Sequence, residues 1–60
     1  MLAEERRLRL IEWSNKDGRI DALDASSKLH VAVETVRRDL DILQRRGLLR
    51  RVHGGAISAG

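Results

Sequence analysis

Six arginines, Arg37, Arg38, Arg45, Arg46, Arg50 and Arg51, fall between Arg37 and His53 against only Asp39 and Asp41, whereas Met1 to Val36 carries six basic and seven acidic side chains. The formal net charge of +3 is therefore a local field. Planar guanidinium groups suit bidentate contact with phosphates or guanine edges. Immediately upstream stand Val33, Glu34 and Thr35. A Glu there can accept from cytosine, and a Thr can reach a phosphate or a thymine methyl. Further on, Arg50, Arg51 and His53 surround Gly54-Gly55, so that backbone can approach a phosphate or minor groove while the side chains supply charge. Each feature has a plainer alternative: a solvated face for the arginines, local backbone bonding for Thr35, and a core-completing hairpin for the glycine pair.

Sixty residues make one domain at most, since a chain this short buries only about 60% of its unfolded surface. With no Cys, neither disulfides nor a thiolate zinc site can staple the fold, and packed helices with a short sheet must stabilise it. No apolar run approaches the ~20 residues that span a bilayer, and Met1-Leu2-Ala3-Glu4-Glu5 lacks the apolar region of a signal peptide. The expectation is a soluble, cytoplasmic chain.

The elements that must position the arginines follow from apolar spacing. Ala3 to about Asn15 reads as an amphipathic helix anchored by Leu10 and Ile11, with Glu4 and Glu5 at the positive end of its dipole and its stop at or before Gly18. Arg19 to Ala22 alternates briefly, compatible with a very short strand near Ile20. A second helix is expected from about Ala22 to Leu29, N-capped by Asp21 with Asp24 three residues on, and packing through Leu23, Ala25 and Leu29. After His30 to Ala32, a third helix spans residues 33–46, with Val36, Leu40 and Leu43 as its buried stripe and Gly47 at its left-handed end. At about 100° per residue, Glu34, Arg38, Asp41 and Arg45 then point outward, with Arg37 on the flank. Leu48 to Val52, a His53-Gly54-Gly55 turn and Ala56-Ile57 read as a β-hairpin over residues 48–57, with Leu48, Leu49 and Val52 helping to fill the core. The expected fold is mainly α with a small β-hairpin: a winged helix-turn-helix of three helices plus wing. Residues 1–57 form the domain and 58–60 begin a linker to a further, C-terminal effector domain.

Two helices joined by so short a turn place the second in a DNA major groove. The expected DNA-binding residues are Val33, Glu34, Thr35, Arg37, Arg38 and Arg45 on the recognition helix, and Arg50, Arg51, His53 and Gly54 on the wing. The run Thr35-Val36-Arg37-Arg38-Asp39-Leu40, then Leu43, then Gly47-Leu48-Leu49-Arg50-Arg51-Val52-His53-Gly54-Gly55-Ala56, resembles the N-terminal domain of DeoR-type regulators. The resemblance extends back through Arg6-Arg7, Leu10-Ile11 and Gly18-Arg19-Ile20. It implies a bacterial cytoplasmic transcriptional regulator, usually a repressor of sugar or nucleoside operons, in which a larger C-terminal domain oligomerises the protein and senses a phosphorylated sugar. The chain departs from the family pattern at Ala32, where a capping Ser is usual, at Ala25-Ser26 in place of Leu-Ala, and at His30, where Gly or Asn is common. Losing the cap forgoes about 0.5–2 kcal/mol.

Other functions lack parts. No Cys nucleophile, HExxH pair or phosphate-cradling loop after a strand is present, and the serines have no neighbouring base, so no enzyme is expected. His30 has no second ligand at a useful spacing, and neither metal nor cofactor is expected. RNA recognition would use stacking aromatics, yet Trp13 is the only aromatic residue. A winged helix used for protein–protein contact is the remaining alternative, since a fold does not fix function. It would favour an apolar or acidic recognition face over one carrying Arg37, Arg38 and Arg45.

Overall fold

The computed structural model describes all sixty residues, Met1–Gly60. Helix α1 spans Ala3–Asp17, two residues beyond the sequence expectation, and stops where Gly18 adopts a left-handed φ of 84° and donates its N–H to the Ser14 carbonyl at 2.8 Å. Leu10 and Ser14 are its buried residues, with Ile11 and Trp13 packed at the edge of the core. Strand β1, Arg19–Asp21, buries Ile20 alone. Helix α2, Ala22–Leu29, starts at Asp21, whose carboxylate accepts the Asp24 N–H at 2.9 Å. The Asp24 side chain returns no bond to Asp21; its carboxylate pairs with Lys28 at 3.1 Å. Ala22, Ala25 and Leu29 make its inner face. Leu23 does not join them: it lies one residue, about 100°, around the helix from Ala22 and is 65% exposed.

Helix α2 ends at His30, the one non-glycine residue with positive φ, at 56°. Asn, Asp and His are the side chains most often found in that region, which fits the use of Gly or Asn in the family pattern. Val31 and Ala32 complete the turn, and helix α3 runs Val33–Arg45, one residue short of expectation. Its end is a Schellman motif: the Gly47 N–H donates to Gln44 at 2.9 Å and the Leu48 N–H to Leu43 at 3.0 Å, with Gly47 at a φ of 76°. Leu48 therefore belongs to this cap rather than to the strand or the core, and is 43% exposed.

Strands β2, Leu49–Val52, and β3, Gly55–Ser58, pair antiparallel with Val52 opposite Gly55, leaving a two-residue turn of His53 and Gly54. Gly55, read from sequence as part of that turn, opens β3 instead. Strand β1 pairs with β3 in the order β1-β3-β2, so the expected hairpin is part of a three-stranded sheet. Gly55 is required by this pairing and not by a ligand, because a Cβ there would lie 1.8 Å from the Ile20 carbonyl oxygen. Ser58, assigned from sequence to the linker, is the last residue of β3 and donates its N–H to Gly18 at 3.1 Å.

Leu10, Ile20, Leu29, Val36, Leu40, Leu43 and Leu49 fill the centre, where full burial of such a side chain is worth roughly 1.5–3 kcal/mol. Asp39 lies among them at 1% exposure, on the same stripe of α3 as Val36, Leu40 and Leu43. Its carboxylate accepts from Arg6 through Nε, and from Arg6 Nη2 and Arg7 Nε at 3.0 Å each. No buried side-chain nitrogen or oxygen lacks a partner. Burial alone pushes the Asp39 carboxyl up, but the hydrogen bonds from Arg6 and Arg7 and their charge outweigh it and hold the group below the ordinary aspartate value. The hydrogen bond to Asp39 correspondingly raises Arg6.

Two outcomes follow for stability. Removing one partner of a buried ion pair strands the others, so Asp39→Ala lowers the unfolding free energy by about 3 kcal/mol, a large part of the roughly 3–9 kcal/mol typical of this length. Because the folded-state pKa of Asp39 is depressed, its stabilisation is complete above the unfolded-state value and is lost as pH falls through the folded one. Urea titrations at descending pH read both effects: Asp39→Asn starts less stable and falls less steeply in acid, and parallel acid profiles would contradict the assignment. The second outcome concerns the start of α3. Ala32 already has the extended geometry of an N-cap (φ −63°, ψ 147°) and lacks only the acceptor; Ala32→Ser therefore adds about 1 kcal/mol in the same assay, and no gain would show that the cap geometry is not used.

Candidate nucleic-acid interface

The ionic contact of Asp39 with α1 and the leucine stripe fix which side of α3 faces outward. Val36, Asp39, Leu40 and Leu43 point in, leaving Glu34, Arg37, Arg38, Asp41, Gln44 and Arg45 exposed. Of the residues expected to contact DNA, Glu34, Arg37, Arg38 and Arg45 share this solvent face. Thr35 is half-buried, and its N–H donates to the Ala32 carbonyl at 3.0 Å. Val33 is also half-buried and packs against the core, so its side chain has a structural occupation.

The charges on this face sort into pairs and leftovers. Glu34 accepts from Arg37 Nη1 at 2.7 Å, and Asp41 accepts from Arg51 Nη1. Arg46, at the end of α3, reaches Glu4 at 3.4 Å. The Glu4 carboxyl is lowered by its hydrogen bonds to Arg7 and Arg46. Arg38, Arg45 and Arg50 take part in none of the ion pairs. Both carboxylates exposed along α3 are thus neutralised within the domain, while Arg38 and Arg45 remain free to meet an anion. The exposed Glu34–Arg37 pair is of the kind worth about 0–1 kcal/mol, so a nucleic acid can recruit Arg37 from it at small cost.

The hairpin separates the residues that sequence grouped together. Arg51 shares the inner sheet face with Leu49 and bonds to α3, while strand alternation puts Arg50 on the opposite face, in a cross-strand row with Ile57 and Arg19. His53 and Gly54 form the exposed tip. Gly54 has a φ of 79°, and its carbonyl accepts the first N–H of α2, from Ala22, at 2.9 Å. The tip is thereby tied to the start of the helix-turn-helix unit.

Sequence reading missed the Arg6–Asp39–Arg7 cluster and treated Asp39 as an opposing surface charge. The available signal was spacing, since Asp39 stands three residues after Val36 and four before Leu43. Asp41 and Gln44 were also missed as anchors for Arg51. No cluster of three or more His, Cys, Asp or Glu side chains is placed to hold a metal ion, and no helix is long and apolar enough to cross a membrane.

Comparison with known proteins matches this arrangement to one family. The sequence model of the DeoR-like helix-turn-helix domain matches residues 6–60. The L-fucose operon activator of Haemophilus influenzae is 41% identical over 49 residues, 82% of this chain and 20% of that protein. The HTH-type transcriptional regulator GlpR of Haloferax volcanii is 46% identical over 59 residues, 95% of this chain and 22% of that protein. The lactose phosphotransferase system repressor of Streptococcus mutans is 43% identical over 58 residues, 97% and 23% respectively. No solved structure matches. The chain spans about a fifth of the length of these relatives. With three helices, an α2–α3 turn of three residues, a hairpin behind them and a family match over nearly the whole sequence, the chain belongs to the DeoR-like helix-turn-helix domain family.

Proposed function

We propose that this domain binds double-stranded DNA sequence-specifically, with α3 in the major groove and the hairpin against the backbone or minor groove. The observation that carries this reading is the charge balance of α3: Glu34 and Asp41 are each occupied by an arginine, leaving Arg38 and Arg45 unpaired on the face that the core turns outward. In this reading Arg37, Arg38 and Glu34 discriminate bases, and Thr35, Arg45, His53 and the Gly54 backbone set register on phosphates. Arg50, facing away from α3, serves the wing's outer side. The domain is the DNA-reading part of a longer cytoplasmic transcriptional regulator, joined after Ser58 to a part that oligomerises and senses a phosphorylated sugar. The names of the fucose-operon and lactose-phosphotransferase relatives support a role in carbohydrate-responsive transcription. One is an activator and the other a repressor, so the sign of regulation is a property of the intact protein and its promoter.

Fluorescence anisotropy of labelled duplexes at several salt concentrations tests the reading. Binding is expected at low salt and should weaken with a log–log slope of about −0.9 per neutralised phosphate. An Arg37→Ala/Arg38→Ala double variant that remains folded should lose most of it. Arg38→Ala alone should cost about 1–3 kcal/mol and relax preference at one base position if it pairs with guanine; uniform weakening across duplexes would make it a phosphate contact. A folded native domain that ignores DNA at low salt would overturn the reading in favour of a protein partner.

A further inference from the structure

Arg51 carries the densest set of polar contacts outside the Asp39 cluster. Its backbone N–H donates to Gln44 Oε1 at 2.6 Å. Its guanidinium donates through Nε to the Gly55 carbonyl at 3.2 Å, and through Nη1 to the Arg37 carbonyl at 3.2 Å and to the Asp41 carboxylate. Arg37, Asp41 and Gln44 stand at i, i+4 and i+7, one stripe of α3, so β2 runs back along the recognition helix and is held to it along that line. The Arg51 side chain is only 24% exposed, whereas Arg50 beside it is exposed and unpaired.

In the order β1-β3-β2 the strand β3 is paired on both sides, whereas the outer edge of β2 has no strand to pair with. The Arg51 N–H on that edge is taken by Gln44, and the side chain links α3 to the far strand at Gly55. To reach a phosphate, this guanidinium would have to leave two carbonyls and expose the Asp41 carboxylate on the surface facing the DNA. That exchange uncovers one anion for each one it contacts.

We propose that Arg51 is a positioning residue for DNA binding: clamped by Asp41, Gln44 and the Arg37 carbonyl, it fixes the angle between wing and recognition helix and takes no phosphate itself. The proposal rests on the DNA-binding reading for its consequence, but the clamp is measurable without DNA. Loss of the charged hydrogen bonds should speed amide exchange across Arg50–Ala56 about tenfold in Arg51→Met, which keeps the apolar stem, and in Asp41→Asn. Amides buried in α1 should change less. Hairpin exchange that is unaltered in both folded variants would overturn the clamp.

DNA affinity then separates positioning from phosphate contact. Removing a carboxylate from a DNA-facing surface ought by charge alone to tighten binding; if Asp41 acts through Arg51, Asp41→Asn instead weakens it several-fold, and adding Arg51→Met costs little more. A phosphate contact would show as a salt slope reduced by about one in Arg51→Met, and the clamp predicts an unchanged slope. Tighter binding by Asp41→Asn, or the reduced slope, refutes the positioning role. If the native domain binds no duplex at low salt while exchange still rises in both variants, the DNA reading fails and the clamp survives it.

Discussion

The face that α3 presents to solvent depends on the carboxylate of Asp39, buried between Arg6 and Arg7. A leucine stripe tolerates some rotation and sliding, because apolar contact is not directional. A buried carboxylate with three N–H donors does not. The cluster sets α3 against α1 at one rotation and one height, and the rotation decides that Glu34, Arg38, Asp41 and Arg45 face outward. Buried ion pairs are often no more stabilising than well-packed apolar residues, and their better-attested use is to select one arrangement among several. Here the selected arrangement puts a basic face on the side of α3 away from the core.

A second layer of electrostatics acts on the surface. The domain does not simply accumulate arginine; it assigns half of its ten arginines to carboxylates of its own. Arg6 and Arg7 serve the α1–α3 contact, Arg46 ties the end of α3 to the start of α1 through Glu4, and Arg51 ties the hairpin to α3. What remains after this internal pairing, rather than the net charge, is the field available to a polyanion. The sheet contributes in the same way, since β1 and the Gly54 carbonyl connect the hairpin to the start of α2.

Much of this was legible in the sequence because local rules decided it. The three helices, the Asp21 cap, the left-handed Gly47 and the outward arc of α3 all follow from spacing and from residues with strong conformational preferences. The errors lie where a distant partner decides. Leu23 and Leu48 look like core residues by type, but a two-turn helix and a Schellman cap give their side chains nowhere to bury. Gly55 looks like a turn glycine until β1 is laid against it, and Ser58 like a linker until β3 extends to it. Asp39 and Arg51 read as surface charge because their partners lie 33 and 10 residues away in sequence, beyond any local pattern.

We propose that nucleic acid lands on the face of α3 turned away from Asp39 and the leucine stripe, together with the hairpin tip. Amide chemical-shift mapping of the isotope-labelled domain during titration with duplex DNA tests it most directly. The largest perturbations are predicted over Val33–Arg38 and at His53–Gly54, with the outer residues of α1, such as Leu8 and Glu12, unmoved. Perturbations gathered on α1 or β1 while the amides of α3 stay silent would contradict this placement.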